Sequence, residues 1–341
     1  MLRVTTLYAM SAVATADYYT QYLTDAPGEQ PGIWTGAQAE RLGLSGTVST
    51  DALRTLLEGR DPMSGSPLGM TLTDRTLANG KTIRAVAGFD ATFSAPKSVS
   101  VLWSLTGNPA IVDVHNRAVR VALANLERFG ASTRVRVNGT RQHPDTNGLT
   151  RATFLQTTSR ADDPQLHTHA VISAKVQTPD GRWWALDARY LKRHQRMLGG
   201  FYQSALRAGM IERFGVSFTP VVNGQAEMVG MPDVLLDVFS KRTHQVDHSL
   251  TTKIEEFRGR QGRDPTRWER AALTREAAAD TRGRKTGLGV DDLDARWQSE
   301  AARLGWDADR VLESIRSTDR TVVGSVTVDE VIDRLSTLGS S

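Results

Sequence analysis

RATFLQTTSRADDPQLHTHAVISAKV, residues Arg151–Val176, contains two alternating runs joined by a segment, residues 159–165, rich in Asp, Ser and Pro. Alternation with a period of two puts successive side chains on opposite faces of a strand, so the segment predicts a β-hairpin. On its second strand His167 and His169 emerge side by side, and Leu166, Thr168, Ala170 and Ile172 face the other way. With the turn centred near Ala161, Gln156 lies opposite His167. Two imidazoles so placed can share a metal ion, with the Gln156 carbonyl oxygen as a third ligand. A pair of hydrogen-bonded, half-exposed histidines is the other reading of the same pattern.

Outward from the hairpin, Ile83 to Phe93 alternates so that Phe89, Ala91 and Phe93 share one face and Asp90 and Thr92 the other. Asp90, Gln156, His167 and His169 are thus expected on one face of one antiparallel sheet. Ser94 and Pro96 open a helix through Leu105, whose N-terminus, with Lys97, has the geometry of a phosphate cradle. Leu2 to Leu7 reads as an edge strand. From Ser11 a helix carries Ala14, Tyr18 and Tyr22 at four-residue spacing, with Tyr19 turned by about 100°. These tyrosines either pack the helix on the sheet or supply a phenol nucleophile. Residues 25–34 hold two Pro and two Gly and read as a loop. Val112 to Phe129 predicts an amphipathic helix with a structural His115, and Val216 to Met228 a hairpin turning at Asn223 and Gly224. Leu191 to Phe214 reads as a basic helix. Beyond Pro232 the pattern is helical: 233–246, 249–259, 265–281 and 291–304, with a Gly- and Arg-rich loop at 282–289.

The 341 residues suffice for a large core, and the lack of cysteine rules out disulfides and thiolate metal sites and suits a cytoplasmic location. No apolar run is long enough to span a bilayer, and the first residues read as no signal peptide. The net charge of +4 is unevenly spread. Residues 182–213 hold seven Lys and Arg against two acids, and 241–285 twelve against seven, so the remainder is about −6. Such segregation suits a polyanion.

FDATFSAPKSVSV from Phe89, TSRADDPQLHTHAVI from Thr158, the Tyr18–Tyr19 pair, WTGAQAERLGLSG from Trp34 and FSKRTHQV from Phe239 together resemble the conjugative relaxases of the TrwC/TraI (MobF) type, within the HUH endonucleases. The likeness runs over about residues 1 to 310. It implies an α+β fold: a palm of central antiparallel sheet and flanking helices (1–230), helical fingers that clamp DNA (231–314), and a linker or tail (315–341). It implies strand-specific nicking at an origin of transfer, with Tyr18 attacking the scissile phosphate to give a 5′-phosphotyrosine, Tyr19 or Tyr22 available for a second cleavage, and Asp90 orienting a metal-bound imidazole or assisting proton removal. The metal would sit on His167, His169 and Gln156. Family members commonly have a third histidine where Gln156 stands, so Mg²⁺ or Mn²⁺ is expected over Zn²⁺ or Ni²⁺. Single-stranded DNA with a hairpin is the expected partner, met by Lys97, Arg160, Lys192, Arg193, Lys241, Arg242, Arg282, Arg284 and Lys285. A monomer acting with accessory and coupling proteins is expected, with Trp34, Trp183 and Trp184 as candidate stacking platforms. A rolling-circle initiator, which shares the chemistry, and a non-catalytic DNA-binding module are the other readings; a tyrosine ahead of the histidines argues against the first.

Overall fold

A computed structural model describes residues 1–22, 30–281 and 289–316; the side chains of residues 21, 22 and 290 also lie outside that description. Five antiparallel strands form the central sheet: β1 (Leu2–Tyr8), β2 (Ile33–Thr35), β3 (Val86–Ser94), β4 (Arg151–Thr158) and β5 (Pro164–Ser173), in the order β1-β3-β5-β4-β2. The fold is α+β as expected. Gly88 lets β3 and β5 meet closely, because a Cβ there would lie 2.4 Å from the Ile172 carbonyl oxygen.

The two sheet faces bury different cores. Phe89, Ala91 and Phe93 of β3 and Leu166, Ala170 and Ile172 of β5 point to one side. There they pack under α2 (Lys97–Thr106), α3 (Pro109–Gly130) and α4 (Gln195–Phe214). Each buried large apolar side chain stabilises this layer by roughly 1.5–3 kcal/mol. The opposite face carries a smaller core in which Phe154, Ala152 and Val171 meet Trp34, Tyr19 and the helices Ala12–Asp17 and Thr50–Leu57. Trp34, expected in a loop, instead lies in edge strand β2 opposite Ala152 and is buried.

The C-terminal helices divide between two environments. Helices α5 (Lys241–Gln261) and α6 (Arg267–Asp280) share a small cluster of Leu250, Ile254, Leu273 and Ala277. Leu235, Phe239, Val311 and Ile315, with Leu293, Trp297 and Ala301 of α7 (Val290–Arg303), join the main core. The break before α5 falls at residues 239–240 rather than near 247. His194 likewise splits the expected basic helix into Arg189–Arg193 and α4. Ser49 caps the Thr50–Leu57 helix, and Ser94 ends a strand with Pro96 as the cap of α2. Asn223 and Gly224, both at positive φ, turn the expected hairpin between Phe218 and Met228. No helix of the described residues is long and apolar enough to cross a membrane.

Candidate active site

The register of the sheet assembles the site. Gln156 pairs with His167 across β4 and β5, and Thr92 of β3 pairs with His169, so these side chains and Asp90 share the face with the smaller core. The imidazole rings of His167 and His169 lie 5.1 Å apart between centroids. His167 Nδ1 is 2.8 Å from the Gln165 carbonyl oxygen, and His169 Nδ1 is 2.9 Å from Asp90 Oδ2. Both acceptors fix the proton on Nδ1, so the lone pair of each ring sits on Nε2. Thr92 Oγ1 adds a contact of 3.2 Å to His169 Nδ1 and donates to the Asp90 carboxylate. Thr92 went unrecognised in the sequence, although its position two residues from Asp90 on the same face was visible there.

Those two nitrogens and the buried Gln156 amide form a donor set that fits a divalent cation through two imidazoles and one neutral oxygen. Among the described residues no group of three His, Cys, Asp or Glu side chains could hold a metal, so a third protein ligand here has to be a donor of another kind, as the amide oxygen is.

The two adjacent tyrosines meet different surroundings. The helix Ala12–Asp17 (α1) passes into a π-turn over Tyr18–Tyr22. Tyr19 is 3% exposed, stacks on Phe154 at 5.2 Å, and donates its hydroxyl hydrogen to Asp90 Oδ2 at 2.7 Å. Tyr18 is half-buried and faces the cleft; its hydroxyl oxygen accepts from Arg160 Nη2 at 3.0 Å, with the guanidinium 5.6 Å from the ring centroid. The side chain of Tyr22 lies outside the described residues.

A cleft of about 1020 Å³ opens over this face. Arg3, Thr5 and Asp90 form its floor, Tyr18 and Arg160 one wall, and Arg242 of α5 with Thr274 and Arg275 of α6 the roof. The hairpin turn ties roof to floor. Ser159 and Asp163 bond across the turn, Asp162 sits at φ 56°, and the Asp162 carbonyl accepts the indole hydrogen of buried Trp297 at 2.7 Å. Buried Asp163 receives Lys241 Nζ at 3.3 Å and the Arg242 backbone N–H at 3.2 Å. Burial pushes the Asp163 carboxyl up in pKa, and these cationic and backbone partners pull it back.

Several basic residues fall elsewhere than expected. The N-terminus of α2 is already capped by a carboxylate: Glu227 accepts from the backbone N–H groups of Lys97 and Ser98 at 3.3 and 2.8 Å. Lys97 Nζ turns inward to the Pro164 carbonyl, and burial lowers its pKa. The phosphate cradle expected there is corrected to an internal cap. Lys192 and Arg193 are exposed on the far side of the sheet, because Leu191 and Leu198 draw their segment onto the larger core; Lys192 lies 5.5 Å from the Phe89 ring. Lys241 is held by Asp163 and Glu300, and the Arg242 guanidinium donates to the Ala278 and Thr281 carbonyls at the end of α6. Arg282, Arg284 and Lys285 lie outside the described residues. Trp183 packs against the smaller core, and Trp184 is half-buried 5.6 Å from the Arg182 guanidinium.

His115, by contrast, is fully buried on the other face. Its Nδ1 meets the Tyr202 hydroxyl at 2.9 Å and its Nε2 the Thr168 hydroxyl at 2.8 Å. Burial, aided by the nearby positive chain terminus, lowers its pKa to about 3.

A five-stranded sheet with a His-x-His strand at its centre and N-terminal tyrosines over it defines the class, and comparison with known proteins agrees. The family model described as TrwC relaxase matches residues 4–304, so the chain belongs to the TrwC relaxase family. It is 34% identical over 310 residues to the multifunctional conjugation protein TraI of Escherichia coli, a match spanning 87% of this chain and 16% of that protein. Among solved structures, the conjugative relaxase TrwC in complex with oriT DNA, metal-free, superposes with a TM-score of 0.73 at 30% identity, covering 90% of this chain and all of the other. A metal-bound TrwC complex gives 0.73 at 31%. TrwC with a 27-mer of the recognition hairpin and cleavage site gives 0.72 at 30%.

Proposed function

We propose that this protein cuts one strand of DNA at an origin of transfer and keeps the cut end as a 5′-phosphotyrosine on Tyr18. The observation that carries this reading is the divergence of the tyrosine pair: Tyr18 faces the cleft beside a guanidinium, and Tyr19 is sealed against Asp90.

A phenol is a weak nucleophile while protonated and needs a partner for the charge that develops as it attacks. Arg160 supplies that partner. Its hydrogen bond to the Tyr18 oxygen is charge-assisted and can follow the negative charge that the oxygen carries as it attacks. Tyr18 Oη forms a bond to phosphorus as the bond from phosphorus to the 3′-oxygen breaks, and the phenol proton reaches that leaving oxygen through cleft water. The ester keeps the energy of the broken bond, so a 3′-hydroxyl can reverse the step. A divalent ion held by His167, His169 and Gln156 would withdraw charge from a non-bridging phosphate oxygen. Asp90, with Tyr19 and Thr92, holds the His169 ring in place. Its partners suit orientation, so Tyr19 acts as a positioning residue rather than a second nucleophile. The neutral amide of Gln156 favours Mg²⁺ or Mn²⁺ over Zn²⁺ or Ni²⁺. The strand being cut lies between the sheet face and helices α5 and α6, which serve as the DNA-clamping fingers.

The test is incubation with labelled single-stranded oligonucleotides tiled across the element's own origin of transfer, with and without Mg²⁺. The expected product is a metal-dependent protein–DNA adduct whose modified peptide contains Tyr18. An adduct mapped to Tyr19, or none under any divalent ion, would overturn the assignment.

A further inference from the structure

One large aromatic side chain on the cleft's roof has no role in the chemistry above. Trp268, in the first turn of α6, is 77% exposed, and the Arg267 guanidinium lies 5.4 Å from its ring centroid. Its direction follows from the helix. At ~100° per residue, residues 267, 268, 274, 275, 278 and 279 fall within one arc of about 140°, and Leu273 and Ala277 lie on the opposite side. Leu273 and Ala277 are the residues that α6 buries against α5, whereas Thr274, Arg275, Ala278 and Ala279 line the cleft. Trp268 therefore continues the cleft-facing side of α6 towards its N-terminus. Seven residues separate it from Arg275, about 10.5 Å along the axis, or roughly three nucleotides at ~3.4 Å each.

The charge pattern of the helix points the same way. Arg263, off this arc in sequence and ahead of the helix, is paired with Glu269, and Arg258 is paired with Asp264. Arg267 and Arg275, on the arc, have no ion-pair partner among the described residues. An exposed indole beside unpaired guanidiniums, in line with a cleft, offers what an unstacked base and its backbone need: a flat apolar face for the base and cations for the phosphates.

We propose that Trp268, with Arg267, is a stacking platform that holds a base of the single-stranded DNA about three nucleotides outside the catalytic cleft. The proposal rests on the reading that this cleft takes single-stranded DNA. The platform is indifferent to which base it carries, because every base has a π-face, so it adds affinity and holds the strand taut rather than reading its sequence.

The experiment compares wild type, Trp268→Ala and Trp268→Phe in fluorescence-anisotropy titrations with dye-labelled oligonucleotides. These share the cleavage site and are trimmed one nucleotide at a time from each end. Stacking worth about 1–3 kcal/mol predicts 5- to 150-fold weaker binding of the longest oligonucleotide by Trp268→Ala. The loss should disappear once trimming on one side removes more than about three nucleotides, and Trp268→Phe should recover most of the affinity. The melting temperature should not move, since the side chain is exposed. Equal affinity of wild type and Trp268→Ala at every length, with wild type binding well, would overturn the platform and leave the cleft reading intact. A loss that persisted at every length would also overturn it. Failure of wild type to bind any oligonucleotide would bring down both readings.

Discussion

Strand β5 presents histidines to one face and answers to a histidine on the other, and the two environments make opposite uses of the same ring. His115 gives both nitrogens to hydroxyls of Tyr202 and Thr168 inside the larger core. His167 and His169 turn Nδ1 to a carbonyl and to a carboxylate. A ring with both nitrogens satisfied is a structural bolt. A ring anchored through Nδ1 is held at a fixed angle, as a metal ligand needs to be. Since Thr168 lies between His167 and His169, the bolt on one face also steadies the strand that carries these two rings on the other.

Variants can break this contrast. The largest effect falls on Tyr18, the proposed nucleophile: Tyr18→Phe should lower adduct formation by more than about 1000-fold on denaturing gels, with folding unchanged. Next is the bolt. His115→Ala opens a cavity and strands two buried hydroxyls, so it should cost about 3 kcal/mol in denaturant unfolding. The protein that remains folded should still nick DNA.

Acid tests the same residue without mutation. Because the folded pKa of His115 is depressed to about 3, its contribution is complete above the unfolded value of 6.5 and is lost as pH falls towards 3. At 1.36 kcal/mol per unit, that 3.5-unit span is at most about 5 kcal/mol. His115→Gln should flatten the decline in chemical-denaturation midpoints over this range.

Asp90→Asn removes the anchor of His169 and should cut metal affinity by about 10- to 100-fold in calorimetry. It should leave stability far less affected than His115→Ala. The smallest effect sharpens the comparison instead. Gln156→His supplies a third imidazole, and about a tenfold gain in affinity for Zn²⁺ or Ni²⁺ relative to Mg²⁺ is expected. No change in metal order would place the third ligand elsewhere.

The sheet and half of the site were legible in the sequence because a period of two leaves little freedom. Once the turn was placed near Ala161, Gln156 had to face His167, and Asp90 had to share their side. What was hidden depended on distant partners or on broken periodicity. Nothing near Lys97 announces that Glu227, 130 residues away, fills the helix N-terminus. Nothing near Lys192 tells which side of the sheet its helix will cover. The different surroundings of Tyr18 and Tyr19 depend on Arg160 and Asp90, both far away in sequence. Trp268 was overlooked since one exposed tryptophan in a charged helix carries no periodic signal.

The turn between β4 and β5 bears on where this chain could be given new ends. Hairpin tips are ordinarily safe places to cut and rejoin a protein, and the tip at Asn223 and Gly224 fits that description. The tip at Ala161 and Asp162 does not, because Trp297, Lys241 and Arg242 are all moored to it. A circular permutant opened at Asn223–Gly224 should keep its activity, whereas one opened at Ala161–Asp162 should lose the alignment of the roof with the histidine strand.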